Sequence, residues 1–290
     1  MELENACERM ADLIRKADHV VVFTGAGIST SSGLPDYRGE NGIRKRRRRN
    51  SSERAPIDFK SLVPTCTHMA IVELVRRGFV QHVVSQNIDN LHLKSGLNLE
   101  HLTELHGNAA WAQCDTCAKI YKNDFPTQGH CTEPSCPSQR YHHQANQKNG
   151  TSRRVTRHGH GRLKRFVVGF GSSLNWGSET RQHCQRATVA LILGTSLKVE
   201  PFSSLATQHA PHVCIVNLQD TSRKLDQKAK KDGVRIHADC DVVLTCLMKK
   251  LMDSEEYNIP VWTSKENPVE YFEPPLENNE ELLRALAGQV

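Results

Sequence analysis

Short apolar runs alternate with amphipathic stretches along this chain. Glu4–Lys16 sets Met10, Leu13 and Ile14 at helical spacing, which predicts a short amphipathic helix. His19–Thr24 follows, a run of Val and Phe without polar alternation, as expected of a strand buried on both faces. The same signature recurs at Val80–Ser85, Thr188–Leu193, Val213–Val216 and, more weakly, Val234–His237. Helices are expected at His68–Arg77, stopped by Gly78, and at Cys240–Leu251, with Val243, Leu247, Met248 and Leu251 on one face.

Buried strands separated by helices predict an α/β chain, a doubly wound parallel sheet covered on both faces. Ligands of such sheets lie beyond the carboxyl ends of the strands. Four strands here run directly into glycine or polar clusters: Gly25–Ser29, Gln86–Asp89, Gly194–Ser196 and Asn217–Gln219. They are expected to converge on one crevice. Residues 107–170 break the rhythm, being rich in Cys, His, Arg and Gly, and read as a small inserted module. After Ser254 the pattern fades into a tail with Pro and Glu and a short helix expected at Glu280–Ala287.

Length and composition narrow this further. A chain of 290 residues, 38% hydrophobic, can bury one large core and carry one small module. The longest apolar runs fall far short of the roughly 20 residues that cross a bilayer, so no membrane association is expected. Met1–Lys16 is polar and does not read as a secretory signal. Ten cysteines without such a signal argue against a disulfide scaffold. Net charge is +6, but the basic residues are blocked: Arg44–Arg49 is one run, and Arg153, Arg154, Arg157, Arg162, Lys164 and Arg165 lie in a stretch without acids. Such blocks fit contact with DNA or RNA, or an import signal, or plain solvated loops.

Gly25-Ala26-Gly27-Ile28-Ser29 is placed as a phosphate-binding turn would be, with glycines allowing close backbone approach. Thr30 stands where a dinucleotide fingerprint has its third glycine, and the Arg44–Arg49 run stands where an acidic ribose ligand is expected. An ordinary dehydrogenase site is therefore excluded. Cys114-x-x-Cys117 and Cys131-x4-Cys136 offer four thiolates within a short span, suited to tetrahedral zinc. The wide second spacing leaves His158 or His160 open as an alternative ligand.

Taken in order, Gly-Ala-Gly-Ile-Ser, Pro35-Asp-Tyr-Arg-Gly39, Gln86-Asn-Ile-Asp89, Leu105-His-Gly107, Gly194-Thr-Ser-Leu197 and Val216-Asn-Leu-Gln219 resemble the sirtuin family of NAD-dependent protein deacylases. The resemblance runs from about Leu3 to about Trp262 and is nearest the nuclear class IV branch, the sirtuin-six and sirtuin-seven type. It implies a Rossmann-like NAD-binding domain (1–106 and 171–260), a small zinc-binding module (107–170) with Cys114, Cys117, Cys131 and Cys136 as ligands, and an acidic tail (261–290). NAD and an acyl-lysine protein substrate, with histones expected, would enter the cleft between the domains. Gly25, Ala26, Gly27 and Ser29 would lie under the pyrophosphate, and Asp36, Tyr37 and Arg38 in the cofactor loop. Gln86, Asn87, Ile88 and Asp89 would line the nicotinamide pocket, with Asn87 also serving catalysis. Gly194, Thr195, Ser196, Asn217, Leu218, Gln219 and Cys240 would hold the adenosine half. His106 would be the catalytic base, a role worth roughly 10²–10⁴-fold. Val168, Gly169, Phe170 and Gly171 would pair with the substrate peptide; Ser172 replaces the acid that most relatives carry next. A nuclear monomer is expected. A non-catalytic, NAD-sensing adaptor that binds nucleic acid, and a protein mono-ADP-ribosyltransferase, remain open beside the deacylase.

Overall fold

In chain order the strands are β1 (Val20–Thr24), β2 (His82–Ser85), β3 (Leu102–Glu104), β4 (Gly107–Cys114), β5 (Ile120–Lys122), β6 (Leu163–Val167), β7 (Val189–Leu193), β8 (His212–Val216) and β9 (Val234–Ile236). The helices are α1 (Leu3–Arg15), α2 (Cys66–Arg76), α3 (Leu91–Lys94), α4 (Ser178–Arg186), α5 (Phe202–Thr207), α6 (Arg223–Asp232) and α7 (Cys240–Leu251). These come from a computed structural model that describes residues 3–36, 42, 61–122, 129–137, 161–167 and 177–264.

Six strands form one parallel sheet in the order β3-β2-β1-β7-β8-β9. The chain winds outward from β1 to β3, then restarts at β7 on the other side of β1. This is the doubly wound Rossmann order, and its switch point lies between β1 and β7. Every residue of β1 and β7 is buried, which is why those strands read as unbroken apolar runs. Alternate residues face opposite ways. Val20, Val22, Leu191, Leu193 and Val216 pack with Met10 and Ile14 of α1, Ile71 and Leu74 of α2, and Leu244 and Met248 of α7. Val21, Phe23, Ile192, Val213 and Ile215 pack with Cys184 of α4, Phe202 and Ala206 of α5, and Ala229 of α6. Each Val, Leu, Ile, Phe or Met among them contributes about 1.5–3 kcal/mol on burial.

The observed helices start where their caps lie. Thr65 Oγ1 accepts from His68 N and the His68 ring accepts from Thr65 N, so α2 begins two residues before the apolar pattern suggests. Beyond α7, the Trp262 indole donates to Lys94 O at 2.8 Å and so ties the chain back to the α3 region.

A second, antiparallel sheet has the order β5-β4-β6. Trp111 and Ile120 from it reach the first of the two cores, and its far end carries the cysteine cluster.

Four histidines gather at the amino-terminal edge of the large sheet, away from the strand ends that carry the motifs. His19 Nε2 lies 3.0 Å from His183 Nδ1, and His82 stacks on His183 at 4.4 Å between ring centroids. Burial, with repulsion from His183, His101 and His19, pushes His82 down to about 3. Burial also lowers His19 and His183. The fold requires these rings neutral, whereas unfolded histidines titrate near 6.5. Stability is therefore whole above about pH 6.5 and is expected to drain as the pH falls from there toward about 3. Urea midpoints taken from about pH 8 to about pH 5 should fall, and His82→Gln should flatten the fall. An unchanged slope in the variant would assign the acid sensitivity elsewhere.

Candidate active site and four-cysteine cluster

The β1 and β7 turns touch backbone to backbone. Gly25 N donates to Leu193 O (3.1 Å) and Gly27 N to Gly194 O (2.8 Å). A Cβ on Gly27 would sit 2.7 Å from Gly194 Cα, and one on Gly25 would sit 2.6 Å from Thr195 Cβ. Neither site tolerates a side chain. The chain then turns through a short 3-10 helix, Ala26–Ser32, in which Ser29 is buried. Bare backbone at a switch point is what close approach by a pyrophosphate needs.

Beyond β2, the side chains lock onto this turn. Asn87 Nδ2 donates to Gly25 O (3.2 Å) and lies 3.3 Å from Ser29 Oγ. The Ser29 hydroxyl donates to Asp89 Oδ2 (2.7 Å), and Leu91 N donates to Asp89 Oδ1 (3.0 Å). Burial raises the Asp89 carboxyl above its ordinary range. The Thr195 hydroxyl, after β7, donates to Gln86 Oε1 at 3.3 Å. Gln86 Nε2 is buried with no partner among the described residues. Ile88 O accepts from Ala109 N (2.9 Å), which joins this segment to β4.

His106 stands between the two sheets. Its Nδ1 lies 2.7 Å from Gln86 O. A carbonyl can only accept, so Nδ1 carries the proton and Nε2 presents a lone pair. Burial lowers the imidazole below its ordinary value, against an opposing contribution from the Gln86 bond. The residue after it has no freedom: Gly107 has φ +75°, and a Cβ there would meet Phe166 O at 2.3 Å. Gly107 pairs with Val167, so His106 flanks the end of β6. Nearby, Asn108 Nδ2 donates to Glu104, whose carboxyl burial pushes up to about 8.

At the end of β8, Gly194 N donates to Val216 O (2.9 Å), and Asn217 Nδ2 donates to Gln219 O (2.8 Å). Leu218 is 66% exposed, a large apolar side chain open to a ligand. Cys240 lies under this end with Sγ 3.7 Å from Val216 O, a thiol that burial pushes up to about 12. Asp36 is half-buried at the edge of the described chain. Tyr37, Arg38, Val168, Gly169, Phe170 and Gly171 lie outside the described residues, as do the Arg44–Arg49 run, His158, His160 and Ser172.

Two supporting residues escape sequence reasoning. Asp241 accepts from Thr67 N (2.7 Å) and the Ser31 hydroxyl (2.6 Å), fastening α7 to α2 and to the glycine turn. Arg235 reaches under the β8 loop. Each is a single charged residue between apolar neighbours, and its partners lie far away in sequence.

The sulfurs of Cys114, Cys117, Cys131 and Cys136 all lie within 4.8 Å of one another. Tetrahedral thiolates on zinc, at about 2.3 Å each, stand about 3.8 Å apart. The Cys117–Cys131 and Cys114–Cys136 pairs are at 3.5 and 4.0 Å. Backbone N–H groups of Thr116 and Cys117 point at Cys114 Sγ (3.3 and 3.5 Å), a charge-stabilising knuckle. A Cβ on Gly161 would strike Cys114 Sγ at 2.3 Å, so glycine is required where β6 approaches the cluster. The donor set fits a soft divalent ion without a histidine.

Fold and site together define a doubly wound α/β protein with a glycine-lined switch point and a four-cysteine cluster. The Sir2 family pattern matches residues 48–201. The chain is 33% identical over 279 residues to NAD-dependent protein deacetylase Sirt6 of Drosophila melanogaster, covering 92% of this chain and 81% of that one. It is 35% identical over 292 residues to sirtuin-7 of Homo sapiens, covering 97% and 67%. To NAD-dependent protein deacetylase SRT1 of Oryza sativa subsp. indica it is 37% identical over 260 residues, covering 85% of this chain. The chain spans about half the length of the plant SRT1 relatives (48% and 50%). A solved structure described as the basis for the mechanism and regulation of Sir2 enzymes superposes with a TM-score of 0.60 at 27% identity, covering 86% of this chain and 99% of that one. The chain belongs to the Sir2 family, on its class IV-like branch.

Metal analysis of the purified protein is expected to find one ion per chain. Cys114→Ser should lose it and lower the melting temperature, because binding at a structural site is largely folding free energy. Full occupancy in the variant would remove Cys114 from the ligand set.

Proposed function

We propose that the chain removes acyl groups from protein lysines with NAD, releasing nicotinamide and O-acyl-ADP-ribose. The observation that carries this reading is His106: a neutral imidazole with its tautomer fixed by Gln86 O, at the junction of the glycine-lined cleft and β6. The names of the relatives, NAD-dependent protein deacetylases, support it.

When bound, NAD supplies an electrophilic ribose carbon and nicotinamide as leaving group. Gly25, Gly27 and Gly194 pack backbone on backbone, so the turn would offer bare main chain to its pyrophosphate. Gln86 Nε2 and the side-chain oxygen of Asn87 suit a carboxamide, which needs both a donor and an acceptor. Asp89 positions Ser29 and the start of α3. His106 Nε2 would accept a proton from a ribose hydroxyl of the bound dinucleotide. The substrate peptide would pair with Val168, Gly169, Phe170 and Gly171, which follow β6 in sequence. The cysteine cluster takes zinc, far from the reacting atoms. Further proposals are a nuclear monomer acting on histones, with the basic runs holding nucleic acid near the cleft. Mono-ADP-ribosyl transfer would share the same cofactor and first step.

Incubation with NAD and a panel of acyl-lysine histone peptides, followed by mass spectrometry, tests the reading. O-acyl-ADP-ribose should form with the wild-type chain. His106→Tyr should lose about 10²-fold or more in kcat while keeping its melting temperature. Activity should rise with pH on a limb below the ordinary imidazole value, because burial lowers His106 and only the neutral ring is a base. Wild-type turnover in the variant would overturn the role of His106.

A further inference from the structure

The segment after β8 is held from beneath by one buried cation. Arg235, on β9, has a side chain that is 0% exposed. Its Nη1 donates to Asn217 O (3.0 Å) and to Ile236 O (2.6 Å), and its Nη2 donates to Gln219 O (2.7 Å). Its Nε donates to Asp226 Oδ1 at 2.6 Å. Asp226, on α6, also accepts from the Thr221 hydroxyl (3.0 Å) and from Thr221 N (3.1 Å). One guanidinium thus turns two carbonyls of a three-residue segment inward, and its carboxylate partner fixes the end of the same loop. Asn217 Nδ2 shares Gln219 O, which closes the arrangement. Above it, Leu218 stays exposed although it is apolar.

A buried ion pair seldom adds net stability, and apolar residues of similar volume commonly replace one without loss. Here the pair does something an apolar pair could not, because no hydrocarbon can bind carbonyls at both ends of a loop. We propose that Arg235 is a positioning residue for cofactor binding: it holds Asn217–Gln219 in the shape that receives the adenosine half of the dinucleotide, with Leu218 as the apolar platform. This rests on the reading of the chain as an NAD-binding enzyme. Lysine is no substitute, since an ammonium lacks the planar fork that spans both carbonyls.

Calorimetric titration with ADP-ribose, paired with steady-state kinetics on NAD and an acetyl-lysine peptide, tests the proposal. Arg235→Met should raise the Kd for ADP-ribose and the KM for NAD about tenfold or more. The peptide KM, and kcat at saturating NAD, should stay within about twofold. A purely structural role would instead reduce the active fraction and leave both the ADP-ribose Kd and the NAD KM unchanged; that result overturns the proposal. If Arg235→Met does not fold, Arg235→Lys carries the same expectation, because it keeps the charge against Asp226 and loses the fork. Equal ADP-ribose affinity in Arg235→Lys and wild type overturns it as well. Failure of the wild-type chain to bind ADP-ribose would instead overturn the NAD reading on which it rests.

Discussion

The structure turns on a contact from which side chains are excluded. Gly25 and Gly27 on one strand end and Gly194 on the next approach closer than any Cβ permits. Gly194 also takes φ +61°, a backbone region costly to other residues. From that contact a chain of bonds runs across the cleft. Gly194 is followed by Thr195, whose hydroxyl bonds Gln86 Oε1, and the Gln86 carbonyl in turn accepts from His106 Nδ1. The glycine turn and His106 are therefore fixed relative to each other by three residues. A shift of the glycine contact would be passed directly to the imidazole.

The small sheet imposes a second constraint of the same kind. Gly107 lets β4 start against β6 with no gap, and Gly161 lets β6 begin against Cys114. Both ends of β6 are thus pinned by glycines, one beside His106 and one beside the thiols. Four sulfurs this close would repel as free thiolates, so a cation at the cluster would relieve that repulsion and hold β6 in place. On this view the metal acts on function through strand position.

The apolar runs made the central strands legible, because burial on both faces leaves little choice of residue, and amphipathic spacing did the same for α1, α2 and α7. The glycine turns and the Cys114–Cys136 cluster were legible because their geometry admits few residue types. Other features were hidden for physical reasons. Three-residue β3 sits at a sheet edge and carries too little pattern to stand out. α6 buries only Asp226 and Ala229 and reads as a polar stretch. Arg235, Asp226 and Asp241 act through partners far away in sequence, so their neighbours on the chain say nothing about them.

The electrostatics of the cleft follow from the same burial that builds it. Desolvation raises Glu104 and Asp89 and lowers His106, so each group is driven toward its neutral form. A base oriented by a carboxylate would have its pKa raised by that charge. His106 is oriented by a carbonyl, which fixes the tautomer while adding no net charge. The ring therefore remains unprotonated at neutral pH and ready to accept a proton. An imidazolium formed during reaction would find no anion bonded to its Nδ1, which favours prompt return of the proton. A carbonyl partner suits a base that must act once and reset, whereas a carboxylate would tend to hold the charge in place.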